Sequence, residues 1–210
     1  MTLTTSLLFE TPLIVHELAK SAELAAELVR LAATRRASDN SGQPWETDSR
    51  MLRWAGDPAI QLLEGCVEIA DRYTVDIDVP EGRTRYGWWA DLRTQFPGAE
   101  GRLEARCFPS AYWSVLLSAR GDGDVRIILE DPRMPMIAME DPGLRVRMSP
   151  AGDILEAEHE FSLQEGQVAM FPAWLRRRVE FSSDARQRGL LTLNLFAFLA
   201  SDPAGASDAA

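Results

Sequence analysis

Apolar and polar residues alternate from Leu7 to Val15, which predicts a first β-strand. After Ser21, read as an N-cap, Leu24, Leu28 and Leu31 recur at helical spacing and predict an amphipathic helix over 22–36. Ser38 to Gln43 is polar and glycine-containing, hence a loop. Asp57-Pro58 supplies a cap and a proline at the first helical position, opening a helix to about Tyr73 whose Ile60, Leu63, Val67 and Ala70 should pack on a sheet. From Thr84 the period changes to short alternating runs, at 84–93, 102–109, 111–119, 124–130, 144–149, 153–162, 167–171, 174–181 and 188–199. Two helices followed by many short strands predict an α+β protein built on a sandwich or barrel. Asp122 and Asp124, like Asp141-Pro142-Gly143, read as turns, and the small polar tail 201–210 as flexible.

Strand parity sorts interior from surface. In the run from Trp174, residues Leu175, Arg177 and Val179 share one face. Arg176 and Arg178 share the other, which reads as solvated and paired with carboxylates. Arg177 lies between two apolar neighbours and so points inward, into a pocket or a structural ion pair. In the last strand Leu191, Leu193 and Leu195 form a wholly apolar face for the helices. Arg188, Leu190, Thr192, Asn194 and Phe196 form a mixed face of the kind that lines a ligand site. Arg106, Phe108, Tyr112 and Ser114 share parity if Pro109-Ser110 does not bulge. His159 shares its face with Ala157 and Phe161, either as a half-buried, hydrogen-bonded histidine or as a catalytic one. His16 reads as a strand-end residue.

Composition narrows the function classes. At 210 residues the chain is expected to form one domain, 1–200, before the tail. A net charge of -10 argues against nucleic-acid and anionic-membrane partners. No apolar run reaches the length of a membrane span and no signal-peptide layout is present. Cys66 and Cys107 stand in no metal or redox spacing, so a reducing, cytoplasmic setting is expected. The single lysine, Lys20, against many arginines hints at a GC-rich bacterial genome. No phosphate loop, nucleophile elbow or zinc spacing occurs.

One stretch carries a resemblance. Phe171-Pro172-Ala173-Trp174-Leu175, then Arg177, Arg188 and Asn194, resembles the distal part of the putative 2-oxoglutarate/Fe(II)-dependent oxygenase family. Other pieces follow in the family's order. They are Leu8–Leu13, Asn40-Ser41-Gly42 with Trp45, Thr47 and Asp48, then Trp89-Ala90-Asp91, Arg106–Ser114 and Asp131-Pro132-Arg133. The resemblance implies a double-stranded β-helix (jelly-roll) core over about 84–199, with helical support from 18–75 on its outer face. It also implies Fe(II) and 2-oxoglutarate as cofactors, Arg188 as the co-substrate arginine, and iron ligands at positions 106, 108 and 177. Those positions hold Arg, Phe and Arg. Phenylalanine has no lone pair to donate, guanidinium stays protonated, and the chain's two histidines lie elsewhere. No metal or cofactor is therefore expected.

The leading expectation is a metal-independent, redox-neutral enzyme of lyase, isomerase or cyclase type, acting on a carboxylate-bearing small molecule in bacterial specialised metabolism. Its substrate contacts are Arg106, Phe108, Arg177, Arg188, Thr192, Asn194 and Trp113, with His159, Tyr112 and Glu104 as candidate acid–base groups. If no ligand occupies the site, Glu104 or Asp91 is the internal partner expected for Arg177. A non-catalytic binding or scaffold protein and an oxygenase with an altered metal site remain as alternatives. A homodimer is left open.

Overall fold

The computed structural model describes residues 11–36, 43–80, 84–119, 125–130, 158–182 and 189–200. The expected strand at 144–149, the loop at 131–133, the turns at 122–124 and 141–143, Arg188 and the tail lie outside them. So do Ala157, residues 40–42 and residues 1–10, the last including Leu7–Glu10 of the expected opening strand.

Among the described residues, three helices and ten strands follow in the order β1 (Ile14–Glu17), α1 (Ser21–Arg36), β2 (Trp45–Glu46), α2 (Met51–Trp54), α3 (Asp57–Arg72), β3 (Tyr86–Phe96), β4 (Arg102–Arg106), β5 (Trp113–Ser118), β6 (Val125–Glu130), β7 (Glu158–Ser162), β8 (Gln167–Pro172), β9 (Arg176–Phe181) and β10 (Leu190–Leu199). The larger sheet has the order β1-β8-β5-β10-β3-β2 and the smaller β4-β9-β6-β7. Every pairing among the described strands is antiparallel. The α+β architecture expected from the change of period near residue 84 is the one observed.

Two apolar layers follow from strand alternation. Leu191, Leu193 and Leu195 of β10, with Val115 and Leu117 of β5 and Val168 and Met170 of β8, face the helices and meet Ala25, Leu28, Leu62, Cys66 and Ile69. The opposite faces supply Leu116, Ala169, Phe171 and Leu190, which meet Ile127, Leu129, Val179 and Phe181 of the smaller sheet. Helix α1 is held close to the sheet. A Cβ on Gly189 would stand 2.8 Å from Thr94 Cγ2 and 3.0 Å from both Val29 methyls.

Local details differ from the sequence reading. Ser21 does not cap its own helix; its hydroxyl donates to the Gly166 carbonyl at 2.7 Å and ties α1 to the turn before β8. The N-cap of α3 is Gly56, with φ 65°, and Asp57 sits in the first turn, where its charge suits the helix dipole. This places Ala59, not Ile60, on the packed face of α3, and Ile60 is exposed. β2 and α2 were not foreseen, because two and four residues are too short to show a period.

Candidate functional site

Alternation places Asp91, Arg93 and Gln95 of β3, Ser114 of β5, and Thr192 and Asn194 of β10 on the sheet face opposite the helical layer. The registers Asn194↔Asp91, Thr192↔Arg93 and Asn194↔Ser114 join them in cross-strand pairs. Arg177 of β9 reaches this polar patch from the smaller sheet. Its side chain crosses an otherwise apolar interior and the residue is 3% exposed.

The partners of Arg177 among the described residues are neutral. One terminal nitrogen donates to Ser114 Oγ at 3.3 Å, and the other donates to Thr192 Oγ1 at 3.0 Å and Gln95 Oε1 at 3.3 Å. The Phe108 ring lies 5.2 Å from the guanidinium carbon. Thr192 donates to Gln95 Oε1 at 3.1 Å, and Ser114 donates to Asn194 Oδ1 at 2.9 Å. Among the described residues, two buried polar atoms have no hydrogen-bond partner, Asp91 Oδ1 and Asn194 Nδ2.

Glu46, on the short β2, gathers the neighbouring charges. It accepts from Arg93 at 2.8 Å, Arg106 at 2.8 Å and Gln95 Nε2 at 3.1 Å, while Arg93 also donates to Asp91 Oδ2 at 2.9 Å. Burial pushes the Glu46 carboxyl upward, but the Gln95 hydrogen bond and the charges of Arg106 and Arg93 outweigh it and hold the group below its ordinary value. Arg177 is pushed down to about 10, first by burial and then by repulsion from Arg106, with Glu46 offsetting part of this. It therefore stays protonated near neutral pH. Three guanidinium groups (Arg93, Arg106, Arg177) against two carboxylates (Glu46, Asp91) leave a net charge of +1. The excess rests on Arg177, the one of these three that has no carboxylate within ion-pair distance among the described residues.

Arg106, Phe108, Arg177, Thr192 and Asn194 thus come together. Arg106 does so through a bulge in β4, where the register passes from Leu103↔Val179 to Arg106↔Arg177. Two other expected site residues stand apart. Trp113 has the parity opposite to Ser114 and faces the helical layer, where its Nε1 donates to Thr74 Oγ1 at 2.9 Å. Tyr112 lies in the bend before β5, outside the strand, after a turn at Pro109-Ser110 that breaks its alternation with Arg106 and Phe108. Its ring lies edge-on to Trp88 and Trp113. Glu104 is exposed on β4 and Asp91 pairs with Arg93, so neither is the internal partner expected for Arg177.

His159 is exposed, not half-buried, and its ring lies 5.9 Å from Phe161. It shares the cross-strand row Arg106–Arg177–Leu129–His159, two strands from Arg177, or about 10 Å at ordinary strand spacing. Sequence reasoning missed Glu46, Arg93 and Gln95. Parity along β3 could have found the last two, since both alternate with Asp91.

A ferrous centre held by two imidazoles and a carboxylate does not fit these side chains. Guanidinium groups cannot ligate a metal, both carboxylates are engaged by arginines, and His16 is exposed on the edge strand β1. Among the described residues, no group of three or more His, Cys, Asp or Glu could hold a metal ion. Nor is any described helix long and apolar enough to cross a membrane.

No family model matches the chain and no curated protein matches it. Solved structures do. A prolyl-4-hydroxylase of Pseudomonas putida is 11% identical with a TM-score of 0.51, over 89% of this chain and 92% of its own. The non-heme α-ketoglutarate-dependent epimerase SnoN of nogalamycin biosynthesis is 11% identical with a TM-score of 0.53, over 87% and 76%. A 2OG-Fe(II) oxygenase-family oxidoreductase of Burkholderia pseudomallei is 13% identical with a TM-score of 0.49, over 90% and 86%. At such identities the likeness is one of fold: two facing antiparallel sheets, with helices on the outer side of the larger, form the double-stranded β-helix of the 2OG-Fe(II) oxygenases.

Proposed function

We propose that this chain is an oxygenase-like barrel that binds a carboxylate-bearing small molecule without iron, with Arg177 as its central anion-binding group. The observation that carries this reading is the buried Arg177 guanidinium, surrounded by neutral hydrogen-bond partners inside a cluster of net charge +1. An uncompensated buried charge costs several kcal/mol, and one carboxylate would neutralise the cluster. Arg188, which stands at the family's co-substrate position, is proposed as a second contact to the same ligand.

For turnover, the reading is redox-neutral chemistry, in which fixed guanidinium groups stabilise an enolate or carboxylate charge. His159 is the proposed acid–base group, because it occupies the Arg177 row. One observation favours a second, non-catalytic reading. Glu46 and Asp91, the two carboxylates of the cluster, are both engaged by arginines and so poorly placed to move protons.

The test is anaerobic incubation with ferrous iron and 2-oxoglutarate, followed by oxygen. Iron well below one equivalent and no succinate are expected. One equivalent of iron with succinate formation would overturn the proposal. Conversion of a bound carboxylate would then favour the enzyme over the binding protein.

A further inference from the structure

The β3–β10 pair continues past its neighbour. β5 pairs with β10 only from Leu190 to Leu195, whereas β3 follows β10 to Leu199. The projecting ribbon carries on the inner face of the barrel. Beyond Thr192/Arg93 and Asn194/Asp91 come Phe196/Trp89 and then Phe198/Gly87. The Trp89 and Phe196 rings are stacked, with centroids 3.7 Å apart and planes within 4°. Phe198 lies over Gly87, where a Cβ would come within 2.8 Å of its ring. Three rings therefore form a shelf directly beyond the two partnerless polar atoms. Even stacked, Trp89 is 51% exposed.

Stacking stabilises a ribbon end by about 1 kcal/mol and accounts for the ring pair. It does not account for rings left open to solvent, nor for a buried donor and acceptor unused beneath them. We infer that the ligand carries a flat apolar or aromatic group that lies on the Trp89–Phe196–Phe198 shelf. Between this group and its carboxylate it carries a hydroxyl or amide that meets Asp91 Oδ1 and Asn194 Nδ2. This inference rests on the anion-site reading of Arg177. Each successive cross-strand pair advances about 7 Å, so the shelf stands about 14 Å along the strands from the Thr192 level that Arg177 contacts. An elongated acid is required, not a short dicarboxylate.

The probes are the N-benzoyl and N-acetyl derivatives of aminohexanoic acid and the methyl ester of the benzoyl compound, titrated calorimetrically into the intact chain. The benzoyl acid should bind about tenfold tighter than the acetyl acid, the worth of one stacked ring. Trp89→Ala should reduce that preference to about twofold or less, and Trp89→Phe should keep most of it. If the ester binds as well as the acid, the anion-site reading is wrong. If the acid is required but Trp89→Ala leaves the benzoyl preference intact, the shelf assignment alone is wrong. Absence of saturable binding by either acid overturns both.

Discussion

Replacing Arg177 by methionine separates two roles for a buried guanidinium. If Arg177 mainly held the barrel together, its loss would cost the 3–5 kcal/mol typical of breaking a buried charged network. The site here is different, because its partners remain satisfied without it. Thr192 still donates to Gln95, and Ser114 to Asn194. Arg177→Met is therefore expected to lie within about 1 kcal/mol of wild type, or to be more stable by up to about 3 kcal/mol, in urea unfolding. A loss above about 3 kcal/mol would make Arg177 structural. The inward direction of this side chain was legible from its two apolar neighbours, Leu175 and Val179. Its partners were not, because Gln95 and Ser114 arrive from distant strands whose pairing only the folded sheet reveals.

At the scale of elements, the loop after α3 is tied to the start of β3 by Arg85, which donates to Asp76 at 2.9 Å through two nitrogens and to Asp78 at 2.6 Å. These hydrogen bonds hold the nearly buried Asp76 carboxyl down at about 2. The folded value lies below the unfolded value of about 3.9, so the contribution is complete above about pH 5 and is lost as the pH falls toward 2. Asp76→Asn should lower Tm by a constant amount from about pH 8 to pH 5, with the gap closing between about pH 4 and pH 2. A gap unchanged at the lowest pH would show that the carboxylate charge is not what holds the loop.

Elements with a clear period were legible in the sequence. The strand parities of β9 and β10 and the extent of α1 followed from alternation and helical spacing. The bulge in β4 was not, since an extra residue reverses parity without any local signal. Nor was β2, whose two residues nevertheless deliver Glu46 to three polar partners.

The whole molecule is acidic, with a net charge of -10, yet the centre of its barrel carries a positive excess. An acidic surface does not help to concentrate anions, so affinity for a carboxylate must come from short-range contacts inside the barrel. The overall architecture could be read from the shift from helical to alternating period, together with the ordered resemblance from Leu8 to Asn194. The chemistry could not, because the positions that would carry it hold arginine and phenylalanine, and side-chain identity alone does not say what those residues contact.

The most direct test of the account is calorimetric titration of a panel of carboxylic acids, from acetate through 2-oxoglutarate to N-benzoyl amino acids, into the chain in the presence of EDTA. Wild type, Arg177→Met and Arg126→Met would be compared, the last removing an exposed arginine paired with Glu160 and Glu180. The account predicts saturable, metal-independent binding of at least one acid, retained in Arg126→Met and lost in Arg177→Met. The affinity should be flat from about pH 7 to pH 9 and weaken above about 10, as the Arg177 guanidinium begins to lose its proton. Binding that survives Arg177→Met, or that appears only with an equivalent of ferrous iron, would contradict it, as would the absence of binding by every member of the panel.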